Sequence, residues 1–330
     1  LTDNSVPDGS SQAVPADTTL FNNLSSRRFE SVIRLQVIIG KSVREIGHRM
    51  KSTDSVSLAS PVSNWVSVFS GKLHVLDVGS GPETIVLWPS IFTDHHIYDE
   101  LVKQLSGSFR FLLIDGPGHG KSDGSGHEFT MAQCATALKT VLDHFGLQRA
   151  VIGGTSWGGL VAGELALTDP DRVKAILLLN TPFELNRSRP QASSRLIAWG
   201  ARWLLRRSMF RNGVAKSFFS KTALASNPSY RQRFHAMLKA APPDALSAAV
   251  RSVLLRSQPL RERLSRLTAP VLVVAGQDDE MYPVKAQADA AALLPMGRFA
   301  SVAGKHISVV ERPAEVAELI LQFLHRETSS

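Results

Sequence analysis

Ala150-Val151-Ile152-Gly153-Gly154-Thr155-Ser156-Trp157-Gly158-Gly159 reads as a buried strand running into a serine fenced by glycines. Leu160-Val161-Ala162-Gly163-Glu164-Leu165-Ala166-Leu167 then continues as a helix. Gly154, Ser156 and Gly158 make G-x-S-x-G, the pattern of a strand-to-helix turn so tight that its serine takes a strained backbone conformation. A Cβ on either flank would crowd such a turn, so its neighbours must be small. The turn lifts the Ser156 hydroxyl clear of the sheet at a helix N-terminus, where backbone N–H groups favour negative charge. The same five residues also fit a glycine-rich turn without chemistry, and the rest of the chain has to decide.

Upstream, Trp65 to Phe69 and Leu73 to Val78 alternate around Ser70-Gly71 as a β-hairpin does. Thr84 to Trp88 and Phe109 to Ile114 are continuous apolar runs suited to strands covered on both faces. Helices are expected over Asp99 to Leu105 and Met131 to Phe145. Downstream come strands over Val173 to Leu179, Val271 to Ala275 and Arg298 to Val302, with helices over Val284 to Leu294 and Ala314 to Leu324. This alternation implies an α/β fold, a mostly parallel doubly wound sheet with helices on both faces. Residues 183–267 interrupt it with almost no β-type run; Leu196 to Leu205, Tyr230 to Lys239 and Asp244 to Leu255 read as amphipathic helices. A helical cap inserted there, after the sixth strand, would cover the carboxyl ends of the strands, the edge where open α/β sheets bind ligands.

The expected organisation is a disordered or loosely docked tail over 1–19, an amphipathic helix and linker over 20–63, a core over 64–182, the cap over 183–267 and a second core part over 268–330. In the second of these, Leu24, Phe29, Val32, Ile33, Val37, Val43, Ile46 and Met50 recur at helical spacing, with Arg27, Arg28, Arg34, Lys41, Arg44 and Arg49 mainly on other faces. Such a stripe suits packing on the same chain, on a second copy as in a homodimer, or on a membrane surface as a peripheral contact. Charge is uneven too. Thr181 to Thr268 holds 17 Lys and Arg against three acids, a net of +14 in a chain whose total is +8. No recognition motif accompanies that charge, so nucleic acid is not an expected partner. No apolar run is long enough to span a bilayer, and a cytoplasmic protein is expected, with a removed leader compatible with a start at Leu1. The single cysteine, Cys134, excludes an intrachain disulfide and reads as buried filler.

A serine hydroxyl needs a base within hydrogen-bond reach, and the base needs a partner to fix its tautomer. Candidates stand at strand ends in the order serine, acid, histidine: the acid in Gly276-Gln277-Asp278-Asp279-Glu280, the histidine in Ala303-Gly304-Lys305-His306. With Asp115-Gly116-Pro117-Gly118-His119-Gly120-Lys121-Ser122 after the fourth strand, these motifs resemble those of α/β-hydrolases of the lactonase/esterase branch. Ser90-Ile91-Phe92-Thr93-Asp94 and His306-Ile307-Ser308-Val309-Val310-Glu311-Arg312-Pro313 are similar to oxoadipate enol-lactonases in particular. The resemblance covers roughly residues 64–326. It implies Ser156 as nucleophile, His306 as general base and acid, and Asp279, three residues after Gly276, as the orienting carboxylate; Glu280 stands where the family usually has proline. It also implies an oxyanion hole from the backbone N–H groups of Trp157 and Ile91. Pro89-Ser90 replaces the family's His-Gly there, and Pro89 has no N–H to give.

That chemistry is acyl transfer, so the expected function is cleavage of a small-molecule carboxylic ester or lactone through an acyl-enzyme. A carbon–carbon bond hydrolase of the ring-cleavage type uses the same triad, and a non-catalytic ligand receptor on a hydrolase fold is the reading from another class. A serine, rather than an aspartate, argues against the branches that attack alkyl carbon. Trp157, Trp199, Trp203, Phe210, Phe218, Phe219 and Met237 are the candidate substrate contacts. The arginine-rich cap suits a carboxylate-bearing substrate, a solvated outer face, or a peripheral contact with anionic membrane lipid. No cofactor is implied. Asp94, His95 and His96 have no matching metal-ligating cluster elsewhere, and His119 and Asp115 read as loop-shaping residues.

Overall fold

Strands β1 (Val62–Val68), β2 (Gly71–Val78), β3 (Glu83–Trp88), β4 (Phe109–Ile114), β5 (Ala150–Thr155), β6 (Val173–Leu179), β7 (Val271–Gly276) and β8 (Gly297–Val302) make one sheet, in the order β1-β2-β4-β3-β5-β6-β7-β8. This is a computed structural model, and it describes residues 60–185 and 191–328. The expected tail and amphipathic helix fall outside those residues. β1 and β2 form the expected antiparallel hairpin, β2 joins β4 antiparallel, and every later pairing is parallel. β1 starts at Val62, slightly ahead of the expected core boundary.

The interior strands are apolar on both faces, and their alternation sorts the side chains into two hydrophobic layers. Val86, Trp88, Leu112, Ile114, Ile152, Ile176 and Leu178 point into one; Ile85, Leu87, Phe111, Leu113, Val151, Leu177 and Leu179 point into the other. The first layer is covered by α2 (Met131–His144) and α3 (Trp157–Thr168), the second by α1 (Asp99–Leu105) and α11 (Pro313–Thr328). Thr130 starts α2 with a reciprocal capping box to Gln133, which fixes where that helix begins. Remaining core helices are α9 (Val284–Ala291) and a single turn, α10 (Ser308–Glu311). No helix among the described residues is long and apolar enough to cross a membrane.

Between β6 and β7 lies the cap, built from α4 (Gln191–Trp203), α5 (Ser208–Phe218), α6 (Lys221–Ser226), α7 (Pro228–Ala240) and α8 (Pro243–Arg251), the last running on into a wider π-type turn, Ser252–Arg256. α4, α7 and α8 were expected; α5 and α6 were not. The cap shares its apolar interior with the sheet, since Phe218, Phe234, Leu246 and Val253 belong to the same cluster as Trp88 and Ile152. Polar ties reinforce the join. Phe129 N donates to Ser252 Oγ at 2.8 Å, Glu128 pairs with both Arg251 and Arg256 at 2.8 Å, and Arg263 reaches Glu164 on α3 at 2.8 Å.

Candidate active site

Ser156 occupies the turn between β5 and α3 with φ 56° and ψ −108°, a conformation L-residues rarely hold. Its glycine neighbours are required by strand β3 alongside. A Cβ on Gly154 would stand 2.3 Å from the Trp88 carbonyl oxygen, and one on Gly158 would stand 1.9 Å from it. The serine N–H is tied to Leu179 O at 2.8 Å, so the strained turn is anchored to β6 as well.

His306, four residues past the end of β8, places Nε2 2.8 Å from Ser156 Oγ. Its Nδ1 lies 2.9 Å from Asp279 Oδ2, three residues past the end of β7. All three side chains are buried. Burial works against a charge on Asp279, but His306 and hydrogen bonds from the Tyr282 N–H and Asn180 hold its carboxyl below the usual range. Asp279 Oδ1 receives the N–H groups of Met281 at 3.0 Å and Tyr282 at 3.2 Å, closing the turn in which Glu280 replaces the expected proline. Glu280 itself faces outward to Lys305 at 3.1 Å. Asp278 is exposed, which resolves the choice between the adjacent aspartates.

Two residues that sequence reasoning missed hold this arrangement in place. Asn180, buried at the end of β6 with φ 47°, donates from Nδ2 to Asp279 Oδ2 at 3.3 Å and to Lys305 O at 3.2 Å, and accepts from Ser308 Oγ at 2.6 Å. Its signal in the text is an asparagine directly after a buried strand, since asparagine tolerates left-handed backbone better than most residues. Glu311 accepts from the N–H groups of Lys305 and Ser220, both at 3.0 Å, binding the His306 loop to the cap.

Loop residues behave as expected. His119 accepts the Phe92 N–H on Nε2 at 3.0 Å, so its Nδ1 donates to Pro117 O at 3.0 Å. Burial pushes this imidazole below its ordinary range. Asp115 receives the N–H of His95 at 2.9 Å and of Lys121 at 2.9 Å, and its two oxygens also meet His95 Nδ1 at 2.8 Å and His74 Nδ1 at 2.9 Å. Burial opposes its charge, yet this ring of donors pulls its carboxyl far below the usual range. His74, His95 and Asp115, and likewise Asp94, His95 and His96, are close enough to hold a metal ion. The Nδ1 of each histidine is instead engaged with a carboxylate, as a loop scaffold requires.

A cavity of about 270 Å³ opens over Ser156 and His306, lined by Ile91, Phe92, Leu185, Ile197, Met209, Phe210, Val214, Phe218, Val253, Leu254, Met281 and Tyr282 among others. No lining residue carries a positive charge among those described. The expected contacts divide. Phe210 and Phe218 line the cavity, and Phe218 meets His306 edge-on with centroids 5.1 Å apart. Phe219 and Met237 instead border a separate cavity beside α7. Trp199 and Trp203 stand on the exposed side of α4. The Trp157 ring is fully buried beneath the elbow, stacked on Phe129 at 5.7 Å and edge-on to Trp88 at 5.4 Å. Its N–H is the first of α3, beside Ser156. Ile91 is on the cavity wall, and the N–H of its neighbour Phe92 is already taken by His119.

Residues 83–313 match the family model described as the alpha/beta hydrolase fold. The chain belongs to that family. It is 27% identical over 298 residues to a 2-hydroxy-6-oxononadienedioate/2-hydroxy-6-oxononatrienedioate hydrolase of Paraburkholderia phymatum, a match covering 82% of this chain and 99% of that one. Among solved structures, a hydrolase from Pseudomonas aeruginosa superposes with a TM-score of 0.72 at 26% identity, over 82% of this chain and 99% of its own. The enol-lactonase from Burkholderia xenovorans shares the fold with a TM-score of 0.73 at 23% identity, covering 79% of this chain and all of that one.

In this α/β hydrolase, then, the serine, histidine and aspartate form a connected triad. Nδ1–H of His306 donates to an ionised Asp279, which leaves Nε2 free to take the Ser156 proton. The hydrolase is thereby equipped for nucleophilic attack by serine on a carbonyl carbon, next to an apolar space for the rest of the substrate.

Proposed function

We propose that this hydrolase cleaves uncharged carboxylic esters or lactones with an apolar acyl portion, through an acyl-enzyme on Ser156. The observation that carries the reading is His306 Nε2 at 2.8 Å from Ser156 Oγ on the floor of an apolar cavity. His306 removes the serine proton as Oγ adds to the carbonyl carbon. The N–H groups of Trp157 and Ile91 receive the resulting oxyanion, as Phe92 has its N–H bound to His119. Protonated His306 then delivers its proton to the leaving alkoxide oxygen, the carbon–oxygen bond breaks, and the acyl group stays on Oγ. Water, deprotonated by His306, adds to the acyl carbon; collapse restores Ser156 and releases the acid. Ile197, Phe210 and Phe218 supply apolar contacts to the acyl chain, and no arginine lines the cavity among the described residues, which favours an uncharged substrate over a carboxylate-bearing one.

The curated relative named for a dienedioate supports a second reading, hydrolysis of a carbon–carbon bond next to a ketone by the same triad. Its named substrate is dianionic, however, and the cavity here offers no cation among the described residues. The test compares p-nitrophenyl butyrate with a vinylogous 1,5-diketone. Multiple-turnover p-nitrophenol release, abolished in Ser156→Ala, is the expected result. Turnover of the diketone alone establishes the second reading, and ligand binding without turnover establishes a receptor.

A further inference from the structure

The cap carries an apolar patch that the catalytic reading does not use. Leu196, Trp199, Trp203 and Met209 are 65%, 52%, 63% and 78% exposed. The first three follow the i, i+3, i+7 rhythm and share one face of α4, while Ser194, Ala198 and Ala201 on the other face are buried. Arginines surround the stripe: Arg195, Arg202, Arg206 and Arg207 are all exposed. Arg202 packs its guanidinium 5.2 Å from the Trp203 ring and pairs with Asp244 at 2.7 Å. The other three have no acidic partner among the described residues, and no acid occurs between Gln191 and Lys216.

Two large indoles in water, ringed by one sign of charge, mark an interaction surface rather than an ordinary exterior. Charge decides what covers it. Residues 20–50 of this chain carry six Lys and Arg against two acids, and a second copy would bring the same arginines, so both would meet the patch with like charge. An anionic lipid surface complements it on both counts. Tryptophan settles at the boundary between headgroups and acyl chains, leucine and methionine just below it, and arginine among the phosphates. The patch also adjoins the catalytic cavity, because Met209 is both exposed and part of its lining, next to Ile197 and Phe210.

We infer that the outer face of α4 and the start of α5 docks this protein on anionic membrane lipid, bringing the opening of the catalytic cavity to the lipid surface. Docking needs no chemistry at Ser156, so it is tested apart from the reaction. The full chain is sedimented with vesicles of phosphatidylcholine alone and with one-third phosphatidylglycerol, and tryptophan emission is followed in parallel. Binding is expected to the anionic vesicles, with a blue shift, and to weaken as salt rises. Trp199→Ser combined with Trp203→Ser should lower partitioning by more than about tenfold. Neutralising Arg195, Arg206 and Arg207 to Gln should lower it about fivefold for each charge. Both variants should keep the melting temperature and the rate on a soluble short-chain ester. The inference is overturned by absence of binding to the anionic vesicles. Binding that persists in both variants overturns it too, placing attachment elsewhere, such as in residues 1–59. A dimer that the Trp variants split, with vesicle binding unchanged, assigns the face to a second copy.

Discussion

Asp279→Asn keeps the shape of the triad and reverses its proton logic. Asp279 Oδ1 accepts from Met281 N and Tyr282 N, so the Asn carbonyl oxygen must take that place. The new amide NH2 then faces His306 Nδ1 at the 2.9 Å position, where the wild-type oxygen accepts a proton. Donor meets donor, and His306 is driven to the tautomer with Nδ1 bare and Nε2 protonated. A protonated Nε2 cannot take the Ser156 proton. Loss of a correctly tautomerised base is worth about 10⁴ in kcat, or about 5.4 kcal/mol of transition-state stabilisation. Asp279 does not line the cavity, so KM should hold. Initial rates of p-nitrophenyl butyrate hydrolysis give both constants, and raising the pH should not rescue the variant, because the obstacle is a tautomer rather than a charge. Asp278→Asn, at an exposed position, is the control and should be near wild type. Activity in Asp279→Asn above about a hundredth of wild type, or an equal loss in Asp278→Asn, would refute the reasoning.

Other outcomes follow from the same contacts. Asn180→Gly and Asn180→Ala both remove the Asp279 hydrogen bond and should lower kcat about tenfold with little change in KM. At φ 47°, the Ala variant should be less stable than the Gly variant by about 1 kcal/mol in urea unfolding. Asp115 and Asp279 both titrate low in the folded state, so their stabilisation is complete above the unfolded carboxylate pKa near 4 and is lost as pH falls below it. Denaturation midpoints should drop across that range, less steeply in Asp115→Asn. The depressed His119 acts higher up: its contribution is present above about pH 6.5 and fades below, and His119→Gln should remove that slope. Phe210→Ala should open the cavity and raise the octanoate-to-butyrate ratio of kcat/KM by about tenfold.

The interior strands were legible because their residues are apolar on both faces, a pattern that little else in a folded chain produces. The triad was legible because each member stands shortly after a strand end, which puts Ser156, Asp279 and His306 on one sheet edge whatever the connecting helices do. The cap was harder. Reading its large apolar residues as lining assumes that helices bury their bulk, and α4 does the opposite. It packs through Ser194, Ala198 and Ala201, with Ser247 of α8 donating to Ala198 O at 2.8 Å, and leaves both indoles outside. α5 escaped notice because its inward stripe is Arg211, Ala215 and Phe218, with a buried arginine whose Nη1 donates to Leu205 O at 2.9 Å. Asn180 meets Asp279, and Glu311 meets Ser220 of the cap, across roughly 90 or more positions, a relation that spacing along the chain does not carry.

The cap is fastened at opposite ends, to the α2 approach through Glu128 and Phe129 and to the His306 loop through Glu311. A roof fastened in this way is expected to select by the shape of its walls, Ile197, Met209 and Phe210 among them, rather than by closing over what it holds.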